Sequence, residues 1–144
     1  MTVFTKELRI KTDAYVGIHD ITENVQVLLE ETHMRDGIAV VFCQGSTGAI
    51  TTMEYEPGLI QDMPEALERV APKAGEYAHH KTWGDDNGSG HVRASLVGPS
   101  LAVPFVSGRL MLGRWQHIVF LECDSRSRDR RLVIQIIGES NTAP

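Results

Sequence analysis

The chain has 144 residues, 42% hydrophobic and 23% charged, which suits a single globular domain over residues 1–144 with a real core. A formal charge of -5 argues against a protein that coats nucleic acid, while leaving room for a local basic pocket that takes a small anion. No apolar run approaches a membrane-spanning helix and the first residues lack a signal-peptide core, so a cytoplasmic protein with Cys43 and Cys123 reduced is expected.

Residues 3–10 alternate weakly through Val3, Phe4, Leu8 and Ile10 and read as a first strand. Asp20 can cap a helix, with Glu23 placed as in a capping box. Ile21, Val25, Leu28 and Leu29 carry its apolar face to about Thr32, and Asp36-Gly37 is expected to end it. Residues 38–43 are a β-branched apolar run, hence a buried strand. From Gln44 to Glu54 the first half reads as loop and the second as strand. Pro57 to Val70 is helical in pattern. Pro64 predicts that the helix proper starts near Met63, with Asp62 capping it and Glu65 in its first turn. Residues 73–90 read as a long polar connection, of a length usually functional or disordered. Four strands are predicted after it, over 92–97, 101–106, 116–123 and 131–138. Ser125 to Arg131 reads as a solvated, charged hairpin turn. The sum is an α+β chain, a β-rich sandwich or distorted barrel with two main helices in its first half.

The stretch from Asn87 to His117 is punctuated by glycines with polar residues between them, a pattern of short strands and tight turns that can deliver side chains to one pocket. His79 and His80 are adjacent and would point opposite ways on extended chain, so one of them is available to a given ion. His91 lies across the loop from that pair. Two histidines and one more ligand would leave the open position that a catalytic metal needs. Cys43 shares the strand face that position 45 would use. Glu54 could act as general base or orient a metal-bound histidine. Arg93 could grip a phosphate or carboxylate, or simply form an ion pair. Ser46 and Thr47 sit among glycines that can present donors to an anion, or merely turn the chain between strands.

Several pieces together have the look of a known family. They are Ser46-Thr47-Gly48-Ala49-Ile50-Thr51 with Glu54, Tyr77-Ala78-His79, Asn87-Gly88-x-x-His91-Val92-Arg93-Ala94-Ser95-Leu96, Gly108-Arg109-Leu110-x-Leu112-Gly113-x-Trp115-Gln116 and Gly138-Glu139. In these, and in their order along nearly the whole chain, the sequence resembles the small YjbQ-like proteins, known as secondary thiamine-phosphate synthases. The resemblance implies a homotrimer with a polar pocket near the subunit contacts. It also implies a divalent metal, zinc-like or magnesium, whose histidine ligands fall on His79 and His91. A third family histidine falls on Gly45, which has no side chain to coordinate. Many relatives carry a histidine where this chain has Ser89, and a threonine where it has Arg114.

Two functions follow from the resemblance. One is a transferase that joins a pyrimidine methyl pyrophosphate to a thiazole phosphate and releases pyrophosphate. Its expected residues are Glu54 and Arg93 for catalysis, Ser46, Thr47 and Gln116 for ligand contact, and His79 and His91 for metal. The other is a non-catalytic trimer that binds a small phosphorylated or anionic metabolite in the same pocket. Neither calls for nucleic acid or a membrane.

Overall fold

The computed structural model of the chain describes residues 1–13 and 17–140. Its elements are β1 (Thr2–Lys11), β2 (Gly17–Asp20), α1 (Thr22–Glu31), β3 (Met34–Cys43), β4 (Gly48–Met53), α2 (Pro57–Val70), α3 (Ala78–Trp83), α4 (Gly88–Val97), β5 (Ser100–Val106), β6 (Arg109–Leu110), β7 (His117–Glu122) and β8 (Asp129–Ser140). Among the described residues they form a five-stranded sheet in the order β1-β8-β3-β5-β6 and a three-stranded sheet in the order β2-β7-β4. Every pairing is antiparallel. This is the expected α+β, β-rich architecture, with α1 and α2 in the first half. No helix among the described residues is long and apolar enough to cross a membrane.

Alternation places the core. On β8, Leu132, Ile134 and Ile136 are fully buried, while Val133, Gln135 and Ile137 between them are only half-buried. Val41 on β3 and Phe105 on β5 join the same inner face. Val25 and Leu29 of α1 close over it, together with Ile118 and Phe120 of β7.

Helix α1 starts at Thr22, one residue later than a capping box on Asp20 requires. The Asp20 carboxylate accepts instead from the Thr22 N–H at 3.0 Å and the Thr22 hydroxyl at 2.7 Å. The helix ends at Glu31. The Thr32 hydroxyl donates to the Leu29 carbonyl at 2.6 Å, and His33 follows with a left-handed φ of 55°. Asp36 and Gly37, expected to stop this helix, already belong to β3.

Helix α2 starts at Pro57 rather than near Met63. Proline suits the first helical position. The Glu56 carboxylate caps it, accepting from Gly58 N–H at 2.9 Å and Leu59 N–H at 2.5 Å. Pro64 gives up one backbone bond inside the helix without ending it.

The largest departure from expectation lies at residues 73–97. The polar connection contains α3, and the predicted strand 92–97 is the second half of α4. Val92, Ala94 and Leu96 alternate like a strand, but Val92 is 38% and Leu96 62% exposed. The buried face of α4 is Ser89, Gly90, Arg93 and Ala94, at helical spacing and built of small or charged residues. Gly90 is needed there, because a Cβ on it would stand 2.3 Å from the Cys123 carbonyl oxygen. Backbone therefore packs on backbone, and no apolar stripe marks the helix.

The turn after β7 is also not the solvated one expected. Arg126 and Arg131 are exposed, but Arg130 is buried.

Candidate functional site

The end of β3, the loop 44–47 and the start of β4 border a cleft of about 580 Å³ with α4. Cys43, Gly45, Ser46 and Gly48 line one side; His91, Ala94 and Ser95, one face of α4, line the other. The walls are tied together by backbone. Cys43 N–H donates to the Pro99 carbonyl at 2.9 Å, and Ile50 N–H to the Gly98 carbonyl at 3.0 Å. Among the described residues no carboxylate lines the cleft. The Ser46 hydroxyl is exposed, and nothing described accepts from the N–H groups of Gly45 and Ser46.

His79 stands beside this cleft. Its ring centroid is 4.4 Å from that of His91, so the structure brings the two expected histidines together. His79 Nε2 lies 3.2 Å from both Asn87 Oδ1 and Asp85 Oδ1. The Asp85 approach is an ion-pair distance with poor direction, and that oxygen stays buried without a hydrogen bond, as does Ser89 Oγ. His80 has a separate task. Its Nε2 accepts from Gly88 N–H at 3.0 Å, which fixes the Nδ1–H tautomer and caps the start of α4.

The residues present do not fit a metal held by three protein side chains. Among the described residues no three of His, Cys, Asp and Glu converge to hold one. At the third family position, a Cβ built on Gly45 would lie 2.5 Å from Arg130 Nη1, so a guanidinium occupies that space. Cys43 is no ready thiolate either. Burial pushes its thiol up, against the opposing pull of the Gly45 backbone hydrogen bond and Arg130.

Beneath the loop lies a buried polar network. Arg130 donates through Nε to Glu122 Oε2 at 2.8 Å and through Nη2 to Glu122 Oε1 at 2.5 Å. The same Nη2 donates to the Thr47 hydroxyl at 2.8 Å, and Thr47 donates on to Asp124 Oδ2 at 2.8 Å. Arg128 closes on the same Asp124 oxygen at 2.8 Å. Thr12 donates to Glu122 Oε2 at 2.5 Å. Burial would raise the Asp124 carboxyl, but the hydrogen bonds from Thr47 and Arg128 prevail and hold it at about 2. For Arg130, burial alone would lower the guanidinium, but the Glu122 carboxylate raises it instead.

The remaining expected residues go elsewhere. Thr47 is buried, and its hydroxyl is spent on the network. Arg93 is 3% exposed and donates to the Ala71 carbonyl at 2.9 Å and to Glu68 at 2.6 Å, so its guanidinium ties α4 to the end of α2. Glu54 is exposed just past β4. Gln116 accepts from Gly113 N–H at 2.7 Å and donates to Thr52 at 3.4 Å. Both lie at the far end of β4, six residues or about 20 Å along the strand from Gly48.

Sequence reasoning missed Arg130, Glu122 and Asp124 as a unit. The available signal was period-two spacing, with Glu122 and Asp124 where β7 ends and Arg128 and Arg130 where β8 begins.

A family model described as UPF0047 protein YjbQ-like matches residues 6–139. A UPF0047 protein of Methanothermobacter thermautotrophicus is 39% identical over 139 residues, covering 96% of this chain and 95% of that one. A UPF0047 protein of Archaeoglobus fulgidus is 39% identical over 131 residues, covering 91% and 99%. The crystal structure of a YbjQ-like protein of unknown function from Sulfolobus solfataricus matches with a TM-score of 0.90 at 28% identity, covering 96% of this chain and 99% of that one. That of an uncharacterised yjbq/UPF0047 protein from Clostridium acetobutylicum has a TM-score of 0.83 at 37% identity, covering 92% and 99%.

Proposed function

Since the chain belongs to the YjbQ-like UPF0047 family, we propose that it binds a small phosphorylated or anionic metabolite in the cleft between loop 44–47 and α4, as a homotrimer. The observation that carries this is a cleft that offers donors and no carboxylate: the Ser46 hydroxyl, the N–H groups of Gly45 and Ser46, and the His91 ring. Its volume of about 580 Å³ suits a small metabolite. The trimer is supported by the outer face of the large sheet. Val3, Ile137, Ile38 and Pro104 lie in one row across four strands. Val3 is 52% and Ile38 48% exposed, an apolar band that a second copy would cover.

A second reading, the thiamine-phosphate synthase-like transferase, is favoured by the His79–His91 pair beside the cleft. In that reaction the bond from carbon to pyrophosphate breaks as the thiazole nitrogen bonds to the same carbon. Glu54 and Gln116 sit too far along β4 to act in this cleft within one chain, so a role for either requires a neighbouring copy to supply it.

The test is amide chemical-shift titration with pyrophosphate and thiamine phosphate, with thiamine as the phosphate-free control. Saturable shifts confined to residues 43–48 and 91–95, with the anionic compounds only, are expected. If none of the anions shifts these amides, the cleft is not the binding site. Release of pyrophosphate from the two transferase substrates, abolished in His91→Ala, would raise the second reading over the first.

A further inference from the structure

We propose that Arg130, reached through the gap left by Gly45, is the residue of the cleft that recognises an anion, and that its ligand is the compact oxyanion end of a phosphate monoester. The proposal rests on the reading of the cleft as a small-molecule site and adds its donor and ligand class.

Arginine carries five N–H donors in a rigid fork. In Arg130 the Nε and Nη2 atoms are engaged by Glu122 and Thr47. Nη1 has no hydrogen-bond partner among the described residues. This free nitrogen is directed at Gly45, 2.5 Å from where a side chain would begin. Gly45 in turn lines the cleft. Arg130 itself does not line the cleft, and any side chain at position 45 would fill the space over Nη1, so glycine is what leaves that nitrogen uncovered on this side. No left-handed backbone angle accounts for this glycine, since the residues with positive φ are found elsewhere.

The fork is held in place before any ligand arrives. Glu122 grips it with two bonds, and the Arg130 side chain is only 10% exposed, so little rotamer freedom is left to lose on binding. A compact oxyanion at Gly45 would meet Nη1, the Gly45 and Ser46 N–H groups and the Ser46 hydroxyl. These would supply charge-assisted and neutral donors to the same oxyanion. It would meet no carboxylate in the cleft wall. A metal ion there would face a fixed cation and lack an anionic ligand, so the same change that removes the third histidine position converts this corner from cation to anion recognition. A histidine at position 45 could be seated only if Arg130 moved.

The experiment is a titration of the full chain with glycerol 3-phosphate, with glycerol as the neutral control, read by amide and arginine Nε resonances. Wild type should bind the phosphate saturably, shifting Gly45, Ser46 and the Arg130 Nε signal, and should ignore glycerol. Gly45→Ala, whose Cβ must push Nη1 aside, should keep its fold with a somewhat lowered thermal midpoint and bind about tenfold more weakly, the loss of one charge-assisted bond. Arg130→Lys should lose binding further. Because removal of that fork can unfold the network, the alanine variant and the wild-type arginine signal decide the matter. Saturable shifts in the cleft with an unmoved Arg130 signal, or equal affinity in Gly45→Ala, would overturn the role of Arg130 and leave the cleft reading standing. Absence of any saturable anion binding would sink both. Binding of the phosphate only in the presence of zinc would also overturn the proposal.

Discussion

At the scale of single residues, Asp124 shows how burial and hydrogen bonding compete. The side chain is 1% exposed, yet the Thr47 hydroxyl and Arg128 hold its carboxyl at about 2. An unfolded aspartate titrates near 3.9, so its folded value is depressed. Its contribution to stability is complete above that value and fades as pH falls through about 2. Allowing for the half-exposed Arg128, the contribution is on the order of 1–2 kcal/mol. Asp124→Asn should therefore be less stable than wild type at pH 7 by that amount, and the difference should shrink between pH 4 and 2. Urea unfolding of both proteins at three pH values measures it, and equal stability at neutral pH would show that the network does not hold this charge. The two thiols carry a related consequence of burial, which pushes Cys123 up to about 12 and Cys43 in the same direction. Both are neutral in the folded chain at physiological pH, and both are free thiols, as expected.

At the scale of elements, α4 is decided by contact rather than propensity. It starts with Gly88 and Gly90, which are poor helix formers. His80 caps its first turn, and Arg93 ties it to Glu68 and Ala71. Gly90→Ala raises intrinsic helix propensity by about 1 kcal/mol. It also drives a Cβ to within 2.3 Å of the Cys123 carbonyl, where backbone must yield. The second effect should win, with a net destabilisation of about 1–3 kcal/mol in denaturant unfolding. A more stable variant would mean that the α4–β7 contact is looser than described. The same change should disturb ligand binding in the cleft, because His91, Ala94 and Ser95 ride on this helix.

At the scale of the whole molecule, the large sheet buries one face and leaves much of the other apolar. Ile38 on β3 lies opposite both Ile137 and Pro104, in the middle of the sheet. The proposed trimer would cover it. Wild type should sediment at three times the single-chain mass, and Ile38→Lys should shift it toward the single chain while far-ultraviolet circular dichroism is kept. A variant that stays trimeric would move the interface elsewhere, and a wild-type monomer would remove the trimer.

How much of this was legible in the sequence depends on how far the deciding contacts reach. The strands whose side chains alternate, β1, β5 and β8, were readable because one face meets the core and the other does not, and β3 and β7 because they are apolar, β-branched runs, patterns written in neighbouring residues. Through the family resemblance, so were the pairing of His79 with His91 and the loss of a side chain at Gly45. Helix α4 was not legible, because its buried face is small residues against the carbonyl of a strand end more than thirty residues away. Nor was the fate of Arg93 or Arg130. A run of arginines reads as a solvated turn until Glu122 and Thr47, brought in from β7 and the loop before β4, take hold of one of them. Local periodicity is imposed by the residue's own element, so the sequence by itself determined the α+β pattern and the candidate chemistry. Charge partners are imposed by the chain's return path, so only the tertiary structure decided that a guanidinium, and no third ligand, stands behind Gly45.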